Sequence, residues 1–124
     1  HIGTHPVYTD LAIDNALDYQ EMIGVDRKEN RLRYIQRYWS DRLRKVKNIV
    51  INTPIEKHKS CGIANVGIKN MDPGKLAKVL LDKYQIFTVA INHENVVGCR
   101  ISPNVYTNEQ DLEHFISSMK ELSA

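Results

Sequence analysis

The segment 96-VVGCRISPNVYTNEQDLEHF-115 holds the residue whose chemistry needs most explanation. Arg100 lies inside a run that otherwise reads as an apolar β-strand. Side chains alternate along a strand, so Val97, Cys99 and Ile101 point one way and Val96, Gly98, Arg100 and Ser102 the other. A guanidinium among small and polar neighbours cannot be buried unpaired, because an uncompensated ion costs several kcal/mol. Arg100 must therefore reach water, a carboxylate of the protein or an anionic ligand. Its planar fork suits bidentate capture of a carboxylate or phosphate. The residues alone leave two readings open, an ordinary ion pair and a ligand clamp.

Other chemistry-bearing residues form weaker patterns. Cys61 and Cys99 are too few for a disulfide framework and form no CxxC pair, so both read as free thiols. His1, His5, His58, His93 and His114 show no metal-ligand spacing, and no metal site is expected. Segment 26–47 carries nine Lys/Arg against three acids, although the whole chain is only +2. That run raises the question of a nucleic-acid partner. Its bases wrap most of a helix circumference with acids interspersed, which reads as a solvated face rather than a line of phosphate contacts.

The elements that position these residues follow from period and punctuation. Residues 7–23 read as a first helix with an apolar stripe of Ala12, Ile13, Ala16, Leu17, Tyr19 and Ile23, stopped by Gly24. Asp26 is expected to cap a second helix to about Val46, with Leu32, Ile35, Trp39, Leu43 and Val46 on one seam. Strands are expected at 48–52 and 61–69, the glycines of the latter marking close approach of another backbone. Asp72-Pro73 starts a third helix with Leu76, Ala77, Leu80, Leu81 and Tyr84 on its buried face. Segments 86–91 and 96–102 form a hairpin about the turn 92-NHEN-95. Thr107 and Gln110 form a capping box for a last helix carrying Leu112, Phe115, Ile116, Met119 and Leu122. The expected class is α+β: a small three- to four-stranded, mostly antiparallel sheet, helices mainly on one face, order α-α-β-β-α-β-β-α. At 124 residues this is one domain. No run approaches the roughly 20 apolar residues of a membrane span, and no signal-peptide pattern is present. A cytoplasmic protein is expected, and a chain that starts at His1 is expected to be a piece of something longer.

HIGTHP, an apolar helix ending Ile23-Gly24, RLRYIQRYWSDRL, INTP and GCRISPNVYTNEQDLEHF occur in that order. Together they resemble the C-terminal part of class V aminotransferases. These are fold-type I pyridoxal-phosphate enzymes that include isopenicillin N epimerase-like proteins and cysteine desulfurases. The resemblance implies a small domain over 1–124, with 1–24 linking from a large cofactor domain of the same protein. It implies that Arg100 binds the carboxylate of an amino-acid substrate. It implies that Gly3 and Thr4 meet the cofactor phosphate across a homodimer interface.

Two departures qualify the resemblance. The family's Schiff-base lysine lies upstream, and none of the ten lysines here matches it, so no catalytic residue is expected in this chain and no activity from it alone. Desulfurases carry their cysteine on a mobile loop before the arginine. Here a tight turn stands in that place, and Cys99 adjoins Arg100 on the opposite strand face. Aminotransferase or epimerase-like chemistry is therefore favoured over persulfide chemistry. Two rivals remain: a basic-helix module that binds nucleic acid, and a regulatory domain in which Arg100 holds a small effector.

Overall fold

A computed structural model describes Gly3 and residues 7–124. Helices α1 (Val7–Ile23) and α2 (Val25–Leu43) are followed by strand β1 (Ile49–Ile51), a single 3-10 turn at Lys57–Lys59, and strand β2 (Ala64–Ile68). Helix α3 (Pro73–Tyr84), strands β3 (Val89–His93) and β4 (Val96–Ile101), and helix α4 (Glu109–Ser123) complete the chain. The element order is the expected one. The four strands form one open antiparallel sheet in the order β1-β2-β4-β3.

The α2 seam enters the core: Ile35, Trp39 and Leu43 are fully buried. They meet Leu112, Phe115, Ile116 and Met119 of α4, Leu76 and Leu80 of α3, and Ile49, Ala64, Val66, Ile68 and Cys99 of the sheet. Trp39 and Phe115 pack edge to face with ring centroids 5.4 Å apart. Tyr34 and Tyr38 of α2 donate 2.6 Å hydrogen bonds to Glu109 and Glu113 of α4, fixing the register of the two helices.

Several local details differ from the sequence reading. The residue before α2 that caps it is Gly24, at φ +83°, and Asp26 lies inside the first turn. A side chain at that φ would be strained, so glycine both ends α1 and admits α2. The α4 capping box is Asn108 with Asp111, not Thr107 with Gln110. Thr107 Oγ1 is occupied instead by the Asn104 N–H, at 3.0 Å. Strand β3 begins at Val89 because α3 ends in a left-handed Gln85, whose following residue, Ile86, donates back to Leu80 O at 2.9 Å. That cap takes up residues expected in the strand. The hairpin turn is only Glu94-Asn95. Leu81 is exposed, while Leu76 and Leu80 carry the α3 contact. Asp72 caps α3 as expected, accepting from Lys75 N at 2.9 Å.

No residue of the α1 stripe is fully buried, and only Ile23 at its end is partly so. Leu11, Ile13, Leu17 and Tyr19 are each more than half exposed. The basic run of α2 is tied largely to loop carbonyls. Arg31 donates to Thr107 O, Arg33 to Lys57 O and Ser60 O, Arg37 to Ile55 O and Arg44 to Thr53 O. Those guanidinium groups hold loops to the helix, which explains their number without a polyanion.

Candidate functional site

All helices that pack on the sheet cover the face carrying Val66 and Cys99. The opposite face carries Arg100. In register it lies directly across from Asn65 of β2 and Val89 of β3, so the three side chains form one row. Arg100 is exposed and has no hydrogen bond or ion pair among the described residues. An internal partner therefore does not account for its charge. A cation on the bare face of a half-covered sheet can take a bidentate anion without first breaking a pair.

Beneath this row the backbone is tightly packed. A Cβ on Gly98 would lie 2.5 Å from the Val66 carbonyl oxygen and 2.6 Å from Asn65 Oδ1. A Cβ on Gly67 would lie 2.8 Å from Val97 O. The expected close backbone approach is thus real at Gly67. At Gly62 the neighbour is the Leu32 side chain, 2.9 Å away. Asn65 is anchored on three sides: its N–H donates to Thr53 Oγ1 at 2.9 Å, its carbonyl accepts from Asn52 N at 3.0 Å, and its Oδ1 accepts from Asn52 Nδ2 at 2.6 Å. These contacts tie β2 to the segment just after β1, beside Arg100. Neither Asn65 nor Asn52 was singled out in the sequence reading, although 64-ANVGI-68 carries a polar residue, Asn65, at its second position.

Phe87 stands two residues before the start of β3 and is 78% exposed. It borders, with Thr88, Ser102, Pro103 and Leu112, a cavity of about 190 Å³. Arg100 is thus flanked by the Val89 side chain on one side and the Asn65 amide on the other.

Cys99 lies on the helix side, fully buried, with its thiol directed at Pro73 O at 3.5 Å. Burial pushes the thiol up, only partly offset by Thr88 nearby. A thiol so placed is a poor nucleophile and faces away from Arg100. Cys61 is exposed on the loop before β2. Gly3 is exposed, at φ +77°, with nothing within 4 Å of where a side chain would start. Thr4 lies outside the described residues. Among the described residues no cluster of three or more His, Cys, Asp or Glu could hold a metal ion, and no helix is long and apolar enough to cross a membrane. None of the ten lysines is buried.

No curated protein sequence matches the chain. Solved structures do. A cysteine desulfurase from Thermococcus onnurineus NA1 superposes with a TM-score of 0.75 at 23% identity, over 86% of this chain and 28% of that one. An alanine–glyoxylate aminotransferase from Nostoc sp. gives 0.73 at 17% identity, over 100% of this chain and 33% of that one. A NifS-like protein from Rickettsia africae ESF-5 gives 0.66 at 18% identity, over 79% and 29%. At these identities the likeness is one of fold, and the chain spans about a third or less of each relative. The aminotransferase class-V family model matches residues 1–115, and the chain belongs to that family.

Proposed function

We propose that residues 1–124 are the substrate-clamping small domain of a pyridoxal-phosphate-dependent enzyme that acts on an amino acid. The observation that carries this reading is Arg100: an exposed guanidinium without a partner among the described residues, on the sheet face opposite the packed helices. In the proposed complex a large domain of the same protein lies over that face, and Arg100 fixes the substrate carboxylate between them. Fixing the carboxylate orients the bonds at Cα, which is an entropic contribution to catalysis. The cofactor, when bound, supplies the electron sink for charge developing at Cα. Gly3 and Thr4 would meet its phosphate across a homodimer interface. The open backbone at Gly3 suits approach of an oxyanion. That none of the ten lysines is buried fits a cofactor-bearing lysine elsewhere in the protein, with this chain inactive by itself.

Transamination or epimerase-like chemistry is proposed over sulfur removal from cysteine. The buried Cys99 and the two-residue hairpin turn support it, since neither offers a mobile thiol to a ligand on Arg100. Borohydride reduction of the full-length protein with its cofactor, followed by peptide mapping, tests the domain assignment. The pyridoxyl label is expected on a lysine upstream of His1; a label on any lysine of this chain would refute it. An alanine-forming activity from cysteine that Cys99→Ala abolishes would overturn the choice of chemistry.

A further inference from the structure

Asn65 sits directly across from Arg100, and its neighbours fix the orientation of its amide. Asn52 Nδ2 donates to Val97 O at 2.9 Å and to Asn65 Oδ1 at 2.6 Å. Turning the Asn52 amide over would set two oxygens against each other, so its nitrogen must face Val97. Asn65 then has to present oxygen to Asn52, and its own Nδ2 is turned away from it. Among the described residues that Nδ2 has no hydrogen-bond partner, and it is closed to solvent in a residue only 9% exposed. Leaving a buried donor unmatched costs about 1–3 kcal/mol, so a compensating role is called for. Arg100 cannot satisfy it, because a guanidinium has five donors and no acceptor. Asn65 thus has an unmatched donor, and its one side-chain acceptor is already held by Asn52.

We propose that Asn65 is a positioning residue of the carboxylate site and acts through Arg100. A neutral neighbour whose oxygen is held by Asn52 does not neutralise the guanidinium, so Arg100 keeps its charge for a ligand. The same amide dipole adds positive potential where a ligand carboxylate arrives. The inference depends on the reading of Arg100 given above.

The Asn65→Asp variant is the sharpest probe. It keeps an oxygen for Asn52 and exchanges only the Nδ2 group for an anionic oxygen. Directly opposed residues have Cβ atoms about 5 Å apart, within reach of an ion pair with Arg100. Asn65→Leu, of similar size, removes the dipole without adding charge. Calorimetric titration of the full-length protein with propionate and with its neutral isostere propionamide separates charge recognition from packing. N65D should lose tenfold or more in propionate affinity and less than twofold for propionamide. N65L should lose severalfold for propionate alone. If both probes weaken together, Asn65 is only a packing residue and the inference is wrong. If N65D leaves the propionate preference intact while Arg100→Met removes it, the inference is again wrong and the Arg100 reading survives. If Arg100→Met leaves the preference unchanged, the Arg100 reading is lost and Asn65 falls with it.

Discussion

Replacing Gly98 with alanine should damage the platform under Arg100 in a measurable way. The new methyl carbon would sit 2.5 Å from Val66 O, 2.7 Å from Val66 C and 2.6 Å from Asn65 Oδ1. Two of those atoms are backbone in the neighbouring strand and cannot rotate aside. Relief requires the β2–β4 ladder to open, at the point where three residue pairs hold the sheet together. Overpacking of a closed site costs roughly 1–3 kcal/mol, and backbone neighbours put this case at about 2–3 kcal/mol. That is a fall of about 30- to 150-fold in the folded-to-unfolded ratio. Urea unfolding should show it as a lowered midpoint with an unchanged slope. Gly74→Ala is the internal control. Its nearest contact, at 3.0 Å, is Asp72 Oδ1, the end of a side chain that can turn aside, so its cost should stay below about 1 kcal/mol. Equal costs for the two substitutions, or a G98A cost under about 0.5 kcal/mol, would refute the argument that backbone packing sets the sheet geometry here.

Three further outcomes follow from the same structure. A thiol reagent should label Cys61 rapidly and Cys99 only on unfolding, since one is exposed and the other buried; rapid labelling of both would contradict the placement of Cys99. Because burial raises the Cys99 thiol, folding disfavours its thiolate. That contribution is intact below the ordinary thiol range near 8.5 and is lost as pH rises through the folded value. Stability should therefore decline above about pH 9, and Cys99→Ala should flatten that decline in urea titrations run at several pH values. Asp72→Ala removes the cap on Lys75 N and should cost about 1 kcal/mol, with Asp72→Asn close to neutral, as thermal unfolding would show.

The sequence reading went furthest where one residue type admits one geometry. Asp72-Pro73 could only open a helix, and the Ile35–Trp39–Leu43 spacing could only be a buried seam. It failed where two local solutions competed. In 107-TNEQD-111 both Thr107/Gln110 and Asn108/Asp111 fit a capping box, and only the tertiary contact of Thr107 with Asn104 decides between them. The start of β3 was misread because Gln85 takes a left-handed conformation that usually belongs to glycine. The exposure of α1 could not be read either, because an apolar stripe states that a helix wants a partner but not where the partner is. At the site, Arg100 was legible because a charge in a strand is conspicuous. Asn65 was not, because its meaning lies in a cross-strand register and an amide orientation that pattern alone does not contain.

The most direct measurement is steady-state turnover of an amino-acid substrate by full-length Arg100→Lys protein, beside binding of the same substrate's decarboxylated amine. Lysine keeps the charge and removes the fork, so kcat/KM for the amino acid should fall by 10-fold or more, with affinity for the amine unchanged. An Arg100→Lys enzyme that turns over its amino acid as well as the parent would contradict the role assigned to this guanidinium.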